Sequence, residues 1–198
     1  GLKAFSRTDC NLRMSLVDIS PPAYDLAVWL AYATADNLTG KPFYRADARP
    51  YLRAEAAECL RRAIDLARPL GYRLKIFDAY RPVEGQWALW HANPDPEFVA
   101  DPRGGGPHNR GVAVDLTLVD SAGAELDMGT GFDACTPLSH HGRTDVSLTA
   151  QRNRLILLGI MTAAGWEHYS NEWWHYQLFN ARDYPVIDQK TLPHPPMD

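Results

Sequence analysis

The chain has 198 residues, a length that suits one domain with a sizeable core and is short for two. Its composition is that of a globular protein, 45% hydrophobic and 22% charged, and the net charge of −4 leaves no basic footprint for nucleic acid. No apolar run approaches the ~20 residues of a membrane helix; the longest, around Leu155–Ala164, is interrupted by Gly159 and Thr162 and reads as a core helix. A single domain over 1–198 is therefore expected, with neither nucleic acid nor membrane as a partner.

The three cysteines, Cys10, Cys59 and Cys135, are sparse, odd in number and without a CxxC pair. That usage fits free thiols in a reducing compartment and favours the cytoplasm. The chain opens on Gly1 rather than Met, which leaves a removed signal peptide, and hence a periplasmic location, as the alternative.

Residues 24–33 alternate Leu26, Val28, Leu30 and Tyr32 on one side, a strand pattern, before the turn-rich stretch Asp36 to Pro42. A helix is predicted from Pro50 to Leu70, with proline suited to its first turn and Gly71 to its stop. Leu52, Ala56, Leu60, Ile64 and Ala67 form its buried stripe. Tyr72–Asp78 reads as a strand running into Ala79-Tyr80-Arg81-Pro82, after which a second helix spans Val83–Ala92 and a Pro/Gly-rich loop covers 93–107.

Gly111–Val119 is the clearest strand, with Val112, Val114, Leu116 and Leu118 on one face and Ala113, Asp115 and Thr117 on the other. Gln151–Ala164 reads as a helix closed by Gly165, and Trp173–Phe179 as an aromatic strand. Strands and helices mix without a regular βαβ alternation, so the class is α+β.

Chemistry-bearing residues concentrate in two segments. In the first, Asp115 sits on the minority face of an apolar strand, where a carboxylate is costly unless paired or bound to metal. His108, in the loop feeding that strand, can fold back towards it. A further histidine would complete a three-ligand zinc set with one position open to water. The plain alternative is a turn-capping Asp115 beside a surface His108, since an H-x6-D pair is unspecific by itself.

The second segment is Glu172-Trp173-Trp174-His175. There His175 shares a strand face with Trp173 and Gln177, while Glu172 at the strand's start is freer to turn. One of the two can bind metal while the other serves as general base; a core histidine beside a surface glutamate is the alternative. Arg81, aimed by a short Tyr-Arg-Pro turn, either stabilises an oxyanion or pairs with an acid such as Asp78.

Together these segments, with Tyr32 to Pro42, Leu126-Asp127-Met128-Gly129 and Phe132-Asp133, resemble the D-alanyl-D-alanine dipeptidases, VanX-like zinc peptidases related to the DD-carboxypeptidases. The likeness runs from about Val17 to Pro185. It implies a hedgehog/DD-peptidase-like fold, a central and mainly antiparallel sheet flanked by helices. It implies Zn2+ on His108, Asp115 and His175, Glu172 as general base and proton carrier, and Arg81 on the oxyanion. It also implies that Asp133 and the backbone near Tyr32 hold the substrate's ammonium and that a small D,D-dipeptide is the substrate; Trp173 and Trp174 read as walls of the core and pocket, with Trp173 placed at the substrate.

One residue departs from the family pattern: Gly106 stands in Gly106-Pro107-His108 where a serine is usual. That removes a hydroxyl from the substrate's carboxylate and leaves a backbone N–H of Gly105 or Gly106 as the substitute. His140-His141 lies in a polar loop and is expected to be outside the primary ligand set, while His91, His168 and His194 lack partners at a convincing spacing. A D,D-carboxypeptidase acting on longer wall peptides and a non-catalytic zinc-binding module remain the competing readings.

Overall fold

The computed structural model describes residues 15–198; Cys10 lies outside the described residues. Seven strands and three α-helices follow one another: β1 (Leu16–Asp18), β2 (Ala27–Val28), β3 (Tyr51–Arg53), α1 (Ala54–Ala67), β4 (Arg73–Asp78), α2 (Val83–Ala92), β5 (Ala113–Val119), α3 (Leu148–Ala163), β6 (Glu167–Tyr169) and β7 (Glu172–Gln177), with short 3₁₀ turns between them. The main sheet has the order β2-β4-β5-β7-β6. Only the short β2–β4 pair is parallel, so the sheet is mainly antiparallel, and the class is α+β.

The period-2 pattern of β5 decides the layering. Val114, Leu116 and Leu118 are fully buried in one continuous core with Leu60, Ala63 and Ile64 of α1 and Leu157, Ile160 and Met161 of α3. Each such side chain contributes ~1.5–3 kcal/mol by leaving water. The opposite face carries Asp115 and Thr117, and a smaller cluster of Leu30, Tyr32, Tyr44, Leu89 and Val99 encloses that side. The sheet thus separates a dry core from a chamber containing charge.

Three local expectations are revised. The alternation in 24–33 forms a strand only at Ala27–Val28, and Ala31–Ala33 is a 3₁₀ turn. Leu26, Leu30 and Tyr32 are still buried, so burial rather than extended backbone accounts for their spacing. The helix expected from Pro50 begins at Ala54; residues 51–53 instead pair antiparallel with β1, Leu52 facing Val17. Helical spacing placed Leu52 in the right core but in the wrong element. Finally, α3 starts at Leu148, capped by Ser147, whose Oγ accepts from the Ala150 N–H at 3.0 Å.

Among the described residues no helix is long and apolar enough to cross a membrane. Cys59 and Cys135 are free thiols.

Candidate metal and peptidase site

Two antiparallel pairings bring the site together. In the β5–β7 ladder Asp115 lies directly opposite His175, and in the β4–β5 ladder Asp78 lies opposite Asp115 after a register shift. Histidine and aspartate sixty positions apart therefore become cross-strand neighbours. His108 arrives by a different device, a 3₁₀ turn ended by Gly111 at φ 71°. That left-handed conformation favours glycine, and a Cβ there would also press on Leu16 Cδ2 at 2.6 Å. Buried Arg53 secures this turn, its Nε donating to the Arg110 carbonyl at 2.6 Å.

The three candidate ligands converge. His108 Nε2 lies 3.2 Å from Asp115 Oδ1 and 3.2 Å from His175 Nδ1, and His175 Nδ1 lies 3.1 Å from Asp115 Oδ1. They form the one cluster with metal-ligand geometry found among the described residues. Zinc bonds of ~2.0–2.1 Å at tetrahedral angles place neighbouring donors about 3.3 Å apart, so the spacing fits.

The tautomers fit as well. His108 Nδ1 is 2.7 Å from the Ala79 carbonyl, and His175 Nε2 is 2.9 Å from Gln177 Oε1. The Ala79 carbonyl accepts only, so His108 Nδ1 carries the proton, and a His175 that turns Nδ1 to a metal carries its proton on Nε2 and donates to Gln177 Oε1. The two inner nitrogens then face each other with lone pairs, an arrangement that repels without a cation and binds one well. Burial pushes the Asp115 carboxyl up, but the two histidines outweigh it and hold its pKa below the usual range.

Of the two roles expected for Arg81, the structure shows the pairing with acids. Its Nε donates to Asp78 Oδ2 at 2.8 Å, Nη1 to Gln86 Oε1 at 2.9 Å and Nη2 to Asp115 Oδ2 at 3.4 Å, while Tyr32 offers its ring face at 5.1 Å. The guanidinium thus reconciles two buried carboxylates that the sheet register forces together. Asp78 is raised by burial despite Arg81, and it accepts from the Tyr44 hydroxyl at 2.8 Å. The Asn109 side chain donates to the Arg81 carbonyl at 2.8 Å, tying the Arg81 turn to the His108 turn.

Glu172 Oε2 stands 4.0 Å from His175 Nδ1. Burial, followed by the charges of Asp115 and Asp133, holds its pKa well above the usual carboxylate range. Asp133 accepts from the Tyr32 hydroxyl at 3.0 Å and the Leu38 N–H at 3.3 Å. It is the one described non-glycine residue at positive φ, 63°, a conformation that costs ~1–3 kcal/mol and is common at functional sites. Burial lifts its pKa to about 6, with the Arg81 charge opposing.

His108, Asp115, His175, Arg81, Glu172 and Asp133 line a cavity of about 240 Å³, smaller than the ~300–1,000 Å³ of usual ligand pockets. Gly106 lines it too, but its N–H already donates to Asn109 Oδ1 at 2.7 Å, and a Cβ there would lie 3.0 Å from Ala100 Cβ. The Gly106 N–H is therefore committed within the protein. The two tryptophans wall the core and pocket as expected, but Trp173 packs in the core with its indole N–H on Thr130 Oγ1 at 2.9 Å, and it is Trp174 that lines the cavity.

Sequence reasoning gave no role to Gln86 or Gln177, both of which line the chamber. The place of Gln177 on the His175 face was its available signal. His141 lies against His168, ring centroids 5.0 Å apart, with its pKa lowered to about 4 chiefly by burial.

The peptidase M15 family model, described as D-ala-D-ala dipeptidase, matches residues 13–195. The D-alanyl-D-alanine dipeptidase of Escherichia coli is 46% identical over 172 residues, 87% of this chain and 89% of that protein. The dipeptidase of Enterococcus faecium is 36% identical over 78% of this chain and 85% of its own length, and that of Streptomyces coelicolor 36% identical over 83% and 86%.

Proposed function

Since the chain belongs to the peptidase M15 family of D-alanyl-D-alanine dipeptidases, we propose that it hydrolyses D-Ala-D-Ala to two D-alanines at the chamber described above. Zinc is the cofactor, held by His108, Asp115 and His175; when bound it acts as a Lewis acid on water and on the scissile carbonyl. The observation that carries the reading is the pair of histidines whose proton-bearing nitrogens are both committed outward, leaving two lone pairs and one carboxylate oxygen aimed at a common point.

The chain's own residues supply the rest. Glu172, whose raised pKa makes its carboxylate a stronger base, takes the proton of the attacking water and delivers it to the leaving amine. Arg81 is held by three side chains as well as its ring contact, and meets negative charge developing on the carbonyl oxygen without reorganising. Asp133, held by Tyr32 and Leu38, receives the free ammonium. A longer peptide has no ammonium at that point, so the anchor and the small cavity together select dipeptides. A cytoplasmic location agrees with the two described free thiols.

The test is zinc content together with D-alanine release from D-Ala-D-Ala, run beside L-Ala-L-Ala and a tripeptide ending in D-Ala-D-Ala. Stoichiometric zinc with turnover of the D,D-dipeptide alone is expected. Preferential cleavage of the tripeptide would replace the reading with a D,D-carboxypeptidase. Glu172→Gln should keep zinc and lose ~10²–10⁴-fold in kcat; a metal-loaded wild type inactive on every peptide would leave a binding module instead.

A further inference from the structure

A dipeptide's C-terminal carboxylate needs a hydrogen-bond donor in the chamber, and the Gly106 N–H there is committed to Asn109 Oδ1. The geometry points to Gln177 as the residue that reads the C-terminal carboxylate of the dipeptide, a specificity-determining role that rests on the dipeptidase reading above.

The orientation of the Gln177 carboxamide is set by chemistry. His175 must present Nδ1 to the metal, so its Nε2 carries a proton and requires an acceptor, which is Gln177 Oε1 at 2.9 Å. The amide nitrogen is thereby turned away from His175. It has no hydrogen-bond partner within the described protein, and Gln177 lines the cavity. Other donors there have tasks of their own: Gln86 donates to the Ala100 carbonyl and Tyr169 to the Glu97 carbonyl, while Arg81, held on Asp78, Gln86 and Asp115, is reserved for the oxyanion in the reading above.

Position along β7 agrees with charge. Glu172 begins the strand, and Asp133 is close enough to raise its pKa, so the ammonium end of the chamber lies there. Gln177 ends the strand, two residues past His175 and about 7 Å further along it. Backbone bonds connect that end to Pro107: Val112 N–H to the Pro107 carbonyl, and Leu178 N–H to the Val112 carbonyl. A dipeptide with its ammonium at Asp133 and its single peptide bond at the metal ligands directs its carboxylate towards this end.

Gln177→Glu and Gln177→Leu test the assignment, with D-Ala-D-Ala and D-alanyl-D-alaninamide as paired substrates and zinc content measured on each protein. Glutamate keeps an oxygen for His175 while replacing the donor by a negative charge. The expected result is a KM for D-Ala-D-Ala raised by about tenfold or more at nearly unchanged kcat and full zinc. The preference in kcat/KM for the free acid over the amide should collapse by a similar factor. Leucine, which removes donor and acceptor together, should lose the same preference even if zinc affinity also falls. Equal losses on both substrates would overturn the proposal and leave Gln177 as a support for His175 alone. A wild type that cleaves neither compound would overturn the dipeptidase reading itself.

Discussion

The two faces of β5 belong to one seven-residue strand and live under opposite rules. On one face Val114, Leu116 and Leu118 are wholly buried among α1 and α3, where any apolar side chain of similar volume satisfies the demand. On the other, Asp115 is just as inaccessible but is acceptable only because His108, His175 and Arg81 surround it. Burial is the same on both faces. What differs is whether identity or merely volume is specified, and the site occupies the face where identity is.

The sharpest way to break this contrast is to change adjacent residues. Asp115→Asn keeps shape and removes the charge, so activity should fall by at least about a thousandfold with zinc lost from the purified protein and the far-UV circular dichroism of the fold retained. A variant that held zinc and worked would end the three-ligand assignment. Leu116→Ala, one residue away, should act in the reverse sense: stability falls by ~2–5 kcal/mol in denaturant titration, while kcat per zinc-loaded folded molecule stays near wild type.

A smaller effect sharpens the polar side. Asp133 has its pKa raised to about 6 by burial, so its carboxylate form predominates above that pH and is lost as pH falls through it. KM for D-Ala-D-Ala should therefore rise several-fold between about pH 7 and pH 5, tracking the protonated fraction. Asp133→Asn should show a high KM throughout and lack this inflection. A wild-type KM that is flat over the range would remove Asp133 from ammonium binding.

Much of this was readable in the residues. Period 2 in 112–118 separated the core face from the charged face, and the helical stripe of α1 from Ala56 to Ala67 is buried as its spacing requires. The histidine, aspartate and glutamate positions of the chamber could be named, because metal ligands are few in kind and the family motifs occur in order. Local pattern failed where two structures satisfy the same burial. Leu52 and Tyr32 are both buried, one in a two-stranded sheet and the other in a 3₁₀ turn, and neither fate is written in spacing.

The sequence by itself determined the α+β class, the buried faces and the chemical types gathered for metal and proton transfer, since these follow from periodicity and from the cost of burying charge. Tertiary structure alone decided that Asp115 faces His175, that Arg81 bridges two carboxylates, that Trp174 rather than Trp173 lines the chamber, and that the Gln177 amide nitrogen is turned away from His175. Each depends on strand register and on which hydrogen-bond partner a neighbour leaves free, and both are set only when segments distant in the chain pack together.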